Sequence, residues 1–350
     1  MKNAERGAMR KWLSLVVGGC LAVSATLCAA KESVNVSLFS WPGYGFWLIA
    51  KEKNLVPDLD LNISIIEDPY ESFGLMTAGK LDVASSTAEY GPIAADKNVP
   101  IRLVTYTNPS YGTDKIILAP GVTGAAQLKG KSLAVLEGGL SQIFMGMWLE
   151  QNGVSIKDVK FVNLVMDDAV GAMLGGTVAA GEFWEPFGSH VLKAKPNATV
   201  AVRSSDKGWI EDAVLGDGMY MNRNFIDKRP HAAQLAMQAY FAAVAYWKAH
   251  PAEANKIIAK NLKFELADVE DVLGTDGSIH KGGIVVFDAE QAGRFMGLLP
   301  GDPPLGMKHN QIESHWKTVS DWWLKFGLIK TAQPPSAGID LRPLRSAVVK

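Results

Sequence analysis

Short apolar runs alternate with segments of helical periodicity along most of the chain. Glycine, proline and asparagine separate them, and the spacing predicts in turn a strand or a helix. The predicted strands are 34–39, 59–66, 81–86, 101–106, 115–118 and 132–136, and the predicted helices between them are 46–53, 70–78, 89–95 and 143–149. A polar turn is predicted at 107–112. This alternation is typical of mostly parallel sheets with helices on both faces, an α/β fold class.

The alternation occurs twice, at 34–118 and from 132 to about 215, and the remainder of the chain is largely helical. Roughly 320 residues exceed the ~250 to 300 at which one core stops growing, so two lobes are expected. Predicted helices at 229–247, 252–262 and 311–325 return to cover the first lobe. The predicted boundaries are 31–117 with 219–330 for lobe 1, 118–218 for lobe 2, and 331–350 for a C-terminal tail.

The segment 128–187 says most about function. It contains a short strand, a Gly138-Gly139 break and a helix that ends at Asn152-Gly153. In an open α/β sheet the strand ends and helix starts face one crevice, so 137–142 and 181–185 are expected to meet one small molecule. An equally good interpretation is that the two glycines only close a tight turn.

Residues 1–30 have the pattern of a secretory signal peptide. Basic residues precede an apolar stretch at 12–27, and Cys28-Ala29-Ala30 provides small residues for cleavage. Cleavage after Ala30 would remove both cysteines, so the mature chain would form no disulfide and no thiolate metal site. An alternative is cleavage before Cys20, which would leave a lipidated N-terminus.

The charge of the mature chain argues against polyanionic partners. Without residues 1–30, four of the 35 basic and one of the 36 acidic residues are lost, and the formal charge becomes −4. Nucleic acid is therefore not an expected partner. The six histidines form no close pair and no nucleophile motif is present, so no metal, no cofactor and no catalytic residue is predicted.

Several short motifs follow one another in an order that resembles a known family. They are GKLDVAS at 79–85, LKGKSLAV at 128–135, Asp167-Asp168-Ala169, GTVAAGEFWEP at 176–186 and WKAHPAEA at 247–254. The chain resembles the solute-binding proteins of ABC importers for nitrate, sulfonates and taurine. The resemblance implies a two-lobed type II periplasmic-binding-protein fold with a ligand cleft between the lobes. It also implies a periplasmic monomer that binds a small molecule and delivers it to an ABC permease in the inner membrane.

The resemblance places the ligand against the loop 41–46, Ser85 and Ser86, and the helix start at 138–142. One departure concerns the ligand. Sulfonate-binding members have Gly followed by Ser or Thr at that helix start, whereas this chain has Glu137-Gly138-Gly139-Leu140. A glutamate there repels an anion, although amides at a helix N-terminus favour one.

Acidic and aromatic residues recur together at the predicted strand ends. Carboxylates beside aromatic rings favour a cationic ligand. The expected ligand is therefore an amine, a zwitterion such as taurine, or a nitrogen heterocycle such as a pyrimidine, although single acids also serve as helix caps. Glu182 and Trp184 are the preferred pair. The predicted ligand-binding residues are Trp41, Tyr44, Phe46, Ser85, Ser86, Tyr90, Tyr111, Glu137, Gly138, Gly139, Asp168, Glu182 and Trp184.

Three classes of function fit the sequence. The preferred one is the substrate-binding component of an importer, which is not an enzyme. The second is an enzyme on the same fold, similar to a pyrimidine-precursor synthase that uses His, Cys and iron. The third is an exported sensor subunit that presents a ligand to a membrane receptor. Lobe closure is expected, with hinges near 115–120 and 216–221.

Overall fold

The computed structural model describes residues 31–213 and 215–348. The predicted signal peptide and the alternative lipidation at Cys20 lie outside the described residues. Among the helices that the structure describes, none has both the length and the apolar character needed to span a bilayer.

The strands of the described residues form two five-stranded sheets. The strands are β1 (Glu32–Leu38), β2 (Leu59–Ile65), β3 (Val83–Thr87), β4 (Ile101–Pro109), β5 (Lys115–Leu118), β6 (Ser132–Val135), β7 (Lys160–Asn163), β8 (Ala180–Phe183), β9 (Thr199–Arg203) and β10 (Gly216–Asn222). The first sheet has the order β2-β1-β3-β10-β4 and defines the first lobe. The second has the order β7-β6-β8-β5-β9 and defines the second lobe.

Each sheet contains one strand that opposes the other four. In the first sheet β10 is antiparallel to both β3 and β4, and the remaining pairs are parallel. In the second sheet β5 is antiparallel to both β8 and β9. The predicted α/β class with mostly parallel strands in two lobes is thus confirmed. The opposing strands are the first to follow each crossing of the chain between the sheets.

Helices flank both sheets. They are α1 (Phe46–Glu52), α2 (Pro69–Thr77), α3 (Tyr90–Asp96), α4 (Leu140–Gln151), α5 (Met166–Gly175), α6 (Phe187–Ala194), α7 (Arg223–Lys228), α8 (Pro230–Ala249), α9 (Pro251–Leu262), α10 (Leu266–Leu273), α11 (Ala289–Phe295), α12 (Gln311–Phe326) and α13 (Arg342–Val348). Short 3-10 turns occur at Pro42–Tyr44, Ala125–Leu128, Ile156–Asp158 and Pro335–Ala337, and a π-helical turn at Trp209–Ala213. Pro251 opens α9 one residue before the predicted helix at 252–262, because a first-turn residue needs no amide hydrogen bond.

The two crossings run side by side and differ from the predicted lobe boundaries. All four residues of β5 pair in the second sheet, and all of β10 pairs in the first. The crossing segments are therefore 110–114 and 204–215, rather than the predicted hinges at 115–120 and 216–221. Ser110 and Ser204 join the crossings through a 2.6 Å contact between their hydroxyl oxygens. The amide of Ser110 also donates to Leu215 O at 2.7 Å.

The polar turn predicted at 107–112 is wrong for its first three residues. β4 continues through Pro109, and β10 pairs with it along its length, with Asn108 opposite Asp217. Asn108 is fully buried and donates from Nδ2 to Gly43 O at 3.1 Å. Tertiary pairing therefore supplies partners for polar residues that would otherwise favour a turn.

The segment 331–350 is not a free tail within the described residues. Leu103 N donates to Gly338 O at 2.9 Å, and Asp340 N donates to Leu103 O at 3.0 Å. α13 then packs on α8 and α11, with Leu344 fully buried. The predicted tail is therefore wrong for the described part of this segment, because its apolar residues complete the core of the first lobe.

α12 contacts both lobes, although the prediction assigned it to the first alone. Trp323 Nε1 donates to Glu89 O at 2.7 Å in the first lobe. Lys325 forms a 2.7 Å ion pair with Glu150 of α4 in the second. A Cβ on Gly146 of α4 would lie 2.7 Å from the ring of Phe326, so the small residue permits this approach. Trp316 and Trp323 are buried in the core, and Trp322 is half-buried against it.

Leu344→Ala should lower the free energy of unfolding by about 2 to 5 kcal/mol, the usual cost of truncating a buried leucine. Leu324→Ala is the matched control because Leu324 is 40% exposed, and it should change stability by less than about 0.5 kcal/mol. Urea titration of the three proteins measures both values. Equal midpoints for the native protein and Leu344→Ala would show that α13 contributes nothing to the fold.

Candidate ligand-binding site

A small cavity lies between the two sheets. Both lobes and the first crossing contribute to its wall. It is lined by Phe39, Trp41, Thr87, Tyr90, Ser110, Asp114, Leu136, Gly139, Leu140, Ser141, Trp184, Gly216, Asp217 and Ile284. A cleft at the carboxyl ends of parallel strands has the position of a small-molecule site.

Asp217 is the buried carboxylate of the first lobe. It lies near the start of β10, and its two oxygens accept hydrogen bonds from Trp41 Nε1 at 2.8 Å and from Tyr44 Oη at 2.5 Å. Burial raises the pKa of Asp217 well above its usual value, although these two donors partly offset the shift. Gly43 is required beside this pair, since a Cβ there would lie 2.7 Å from Asn108 Oδ1.

Asp114 and Glu182 form a second acidic group in the other lobe. Ser110 donates to Asp114 at the end of the first crossing. Glu182 of β8 lies opposite Ile116 of β5. Burial, followed by the neighbouring Asp114, raises the pKa of Glu182 well above its usual value, and burial also raises the pKa of Asp114. Two adjacent buried carboxyls do not both ionise readily, so this pair retains a proton more strongly than isolated acids.

Lys115 is a buried basic residue of the second lobe, and its charge is already paired. It forms an ion pair with Glu185, which also accepts from the amide of Ser189 at 2.9 Å. Desolvation alone would raise the pKa of Glu185, but Lys115 and these hydrogen bonds lower it overall. The ion-pair partner of Lys115 is therefore Glu185, which lies outside the cavity lining.

The turn that precedes α4, here called the Gly-Gly turn (residues 136–140), has most of its amides satisfied by side chains. The pairs are Leu136 N to Ser141 Oγ at 3.1 Å, Glu137 N to Asn163 Oδ1 at 2.9 Å, Gly138 N to Gln142 Oε1 at 2.9 Å and Leu140 N to Thr87 Oγ1 at 3.2 Å. A bare anion would compete with these bonds. The last bond also links the two lobes.

Glycine is needed at both positions of the Gly-Gly turn, because side chains there would collide with the first lobe. Gly138 has φ +80°, a conformation that favours glycine. A Cβ on Gly139 would lie 2.8 Å from Tyr90 Oη, and one on Gly138 would meet Tyr70. Tyr70 and Tyr90 belong to the first lobe, so the lobes contact each other directly here.

Aromatic rings from the two lobes meet at another wall of the cavity. Phe39 follows β1, and its ring centroid is 5.8 Å from that of Trp184, which follows β8. Phe39 also packs edge-on against Tyr44 at 4.9 Å. The wall is thus apolar and π-rich beside the buried carboxyls, an arrangement suited to a cation or an electron-poor ring.

Comparison with known proteins assigns the chain to a family. The sequence model of the family described as NMT1/THI5 like matches residues 41–254, which is more than half of the chain. The chain belongs to the NMT1/THI5-like family. It is also 23% identical over 158 residues to a Brucella abortus (strain 2308) protein named provisionally as a binding protein, covering 45% of this chain and 49% of that one. The chain thus spans about half the length of the curated relatives it matches.

Solved structures share the fold of this NMT1/THI5-like protein. The alkanesulfonate-binding protein SsuA from Xanthomonas axonopodis pv. citri, bound to MOPS, superposes with a TM-score of 0.69 at 17% identity, covering 89% of this chain and 99% of that one. The nitrate-binding protein NrtA from Synechocystis PCC 6803 gives 0.66 at 13% identity, covering 91% and 88%. The desulfurization enzyme DSZB gives 0.58 at 13% identity, covering 91% and 99%. The periplasmic-binding-protein fold is therefore established, as the sequence resemblance implied.

The structure brings four of the predicted site residues of the NMT1/THI5-like chain to the cavity wall: Trp41, Tyr90, Gly139 and Trp184. Two more stand directly behind the wall. Tyr44 is bonded to Asp217, and Glu182 adjoins Asp114. Their roles in binding stay predictions.

The other predicted residues lie elsewhere. Phe46 is packed in the core against Tyr240 and Trp247, and Ser85 accepts from Trp47 Nε1 at 2.9 Å. Ser86 is buried within β3 and does not line the cavity. The residue of β3 that lines it is the next one, Thr87.

The remaining four predicted site residues also lie outside the cavity lining. Tyr111 lies in the first crossing, where its amide donates to Gly283 O at 2.8 Å. Glu137 and Gly138 belong to the Gly-Gly turn outside the lining, and Asp168 is exposed in the first turn of α5. An acid in a first helical turn is favoured by the helix dipole, which explains Asp168 without a ligand.

Sequence reasoning missed the two carboxyls of the lining. Asp114 and Asp217 lie beside the crossings, and only long-range pairing of β10 with β3 and β4 brings Asp217 to the cavity. One signal was present, because Gly216-Asp217-Gly218 interrupts the apolar pattern. Glycines around a buried carboxylate indicate close backbone packing, here of Gly216 against Pro109.

The opposite pKa shifts of Glu182 and Glu185 predict opposite effects of pH on stability. In Glu182→Gln, the free energy of unfolding relative to the native protein should rise as pH increases above the usual glutamate pKa of 4.5. The reason is that the folded native protein binds this proton more tightly than the unfolded chain, so the native protein loses stability with rising pH. A tenfold difference in proton affinity between the folded and unfolded chain corresponds to about 1.4 kcal/mol of stability.

Glu185→Gln is the matched control with the opposite sign. The lowered pKa of Glu185 stabilises the native protein above the usual value and is lost as pH falls, so this substitution should cost most near neutral pH and little in acid. Urea titrations of the three proteins at about pH 4 and about pH 7 measure both trends. Stability differences that do not change with pH would contradict the assignment of the two shifts.

Proposed function

We propose that this chain is the solute-binding component of an ABC importer. It captures a small organic solute that carries a protonated amine or N–H donors, holds it between the two lobes without chemical change, and delivers it to a membrane permease. The family membership and the shared fold support the binding role. The periplasm is the proposed compartment, in agreement with the signal-peptide pattern of residues 1–30 and with the named location of similar proteins.

The observation that carries the proposal is the pairing of buried carboxyls with aromatic rings in the between-lobe cavity. Asp114, at the end of the first crossing, and Asp217, near the start of β10, both line the wall, and Trp41, Tyr90 and Trp184 add aromatic surface. A buried carboxyl is costly to ionise in isolation. Its ionisation becomes less costly when a cation or an N–H donor faces it. The site is therefore suited to a solute with positive charge or N–H groups.

Three features disfavour a bare anion such as nitrate or an unsubstituted sulfonate. The amides of the Gly-Gly turn already donate to side chains, including Gly138 N to Gln142 at 2.9 Å. The neighbouring Lys115 is paired with Glu185. The wall also contains Asp114 and Asp217, and an anion beside them would make these buried carboxyls harder to ionise, whereas a cation would make them easier to ionise.

Contacts between the lobes support capture by closure. Thr87 of the first lobe accepts from Leu140 N of the second at 3.2 Å, and Tyr90 packs on Gly139. A solute that touches both walls stabilises this closed arrangement by its higher affinity for it. The paired crossings at 110–114 and 204–215 are the proposed hinge.

The first test compares matched solutes. Ethylamine, taurine or cytosine should raise the temperature at which the mature protein unfolds, and ethanesulfonate should not. The reason is that only the first three present amino groups to the carboxyls. Calorimetric titration of the best of these probes into Asp217→Asn should then show an affinity weakened by about 10- to 100-fold, the usual value of a charge-assisted hydrogen bond.

Asp60→Asn is the control, since Asp60 is exposed on β2 and outside the cavity lining, and it should bind as the native protein does. Stabilisation by ethanesulfonate with none from the amino compounds would overturn the proposed solute class. Release of altered product from any of these probes would instead favour an enzyme, the role of the similarly folded DSZB.

Gly139→Ala should weaken binding by hindering closure. The backbone of Gly139, with φ −108°, accepts alanine, but the new Cβ would lie 2.8 Å from Tyr90 Oη of the opposite lobe. Affinity should fall about tenfold for each 1.4 kcal/mol by which the closed state is destabilised. X-ray scattering should show that the native protein becomes more compact with the best probe, whereas the variant stays more open.

Gly171→Ala provides the comparison, because its Cβ would meet nothing within 4 Å on α5. It should bind and compact like the native protein. Normal compaction of Gly139→Ala would mean that the Gly-Gly turn does not limit closure.

A further inference from the structure

Two hydrogen-bond donors at the cavity wall have no protein partner within the described residues. They are the hydroxyl of Tyr90 and the indole N–H of Trp184, and both atoms are buried. Trp41 Nε1, the other aromatic donor of the wall, is by contrast hydrogen-bonded to Asp217, as is Tyr44 Oη behind the wall. Tyr90 and Trp184 are thus the two aromatic residues of the wall whose donors have no partner among the described residues.

A buried donor without a partner is costly, and most such groups in folded proteins are satisfied by protein, water or ligand. Tyr90 is 1% exposed, so bulk solvent does not reach its hydroxyl in this arrangement. Its neighbour across the lobe boundary is Gly139, which has no side chain to accept a bond. Trp184 meets the ring of Phe39, which also offers no conventional acceptor.

We infer that the solute presents hydrogen-bond acceptors to Tyr90 Oη and Trp184 Nε1 while its amino or N–H part faces Asp114 and Asp217. The inference rests on the proposed function and narrows its solute to dipolar compounds. These are amines that also carry a carbonyl, an oxyanion, an ether or an unprotonated ring nitrogen. An amine with only hydrocarbon attached leaves both donors unpaired.

The two donors also belong to different lobes. Tyr90 is the first residue of α3 in the first lobe, and Trp184 follows β8 in the second. Acceptors that bind both donors therefore gain their full set of hydrogen bonds only when the lobes are together. In this way the same contacts select the solute and favour closure.

Calorimetric titration with benzylamine, 3-(aminomethyl)pyridine and 4-(aminomethyl)pyridine tests the inference. The three amines differ by a single ring atom, which is an acceptor in the two pyridines. The native protein should bind at least one pyridine tighter than benzylamine by about threefold or more. Tyr90→Phe and Trp184→Phe each remove one donor and keep an aromatic ring, so at least one of them should reduce that preference toward equality.

Tyr240→Phe is the control for loss of a buried tyrosine hydroxyl, since Tyr240 lies in α8 outside the cavity lining. It should keep the native preference. If the native protein binds the amines without preference, or both donor variants retain it, water satisfies the donors and this inference is wrong while the proposed function stands. If none of the three amines binds and ethanesulfonate does, the proposed function fails and this inference with it.

Discussion

Burial of carboxyl groups beside the crossing between two sheets is the constraint on which the site depends. Asp114 ends the first crossing, where its carbonyl oxygen accepts from Ser204 N at 3.0 Å, and Asp217 is the second residue of β10, so both acids are held beside the two crossings. Trp41, Tyr44 and Ser110 donate to them, and these donors hold the loop after β1 and the first crossing in place. The same bonds that stabilise the fold thus prepare one wall of the cavity.

Contacts outside the cavity restrain how far the lobes can separate. α12 donates to the first lobe through Trp323 and pairs with the second through Lys325, while Ser110 and Ser204 join the crossings. At Gly138 and Gly139 the Gly-Gly turn meets Tyr70 and Tyr90 with no side chain of its own. Opening is therefore expected to break the turn contacts first and to leave the crossings intact.

The sequence predicted the elements better than the site, and the reason is physical. Helix and strand periodicity is local, so the α/β class, both lobes and the position of α9 followed from it. The cavity depends on pairing between distant strands. Asp217 reaches the wall because β10 inserts between β3 and β4, and Thr107 to Pro109 are strand because of the same pairing. Aromatic residues at strand ends, such as Trp41 and Trp184, were predictable because strand ends face the crevice.

The acid–base state of the wall separates a cationic solute from a neutral one. Burial raises the pKa of Asp217, so this carboxyl binds a proton more firmly than an ordinary aspartate does. A cation beside Asp217 would lower that pKa again, and its binding would release a proton and strengthen as pH rises. A neutral N–H donor interacts with the acid more weakly and would release less. The proton count on binding, obtained from titrations in buffers of different ionisation enthalpy, is therefore a direct measure of the solute's charge in the site.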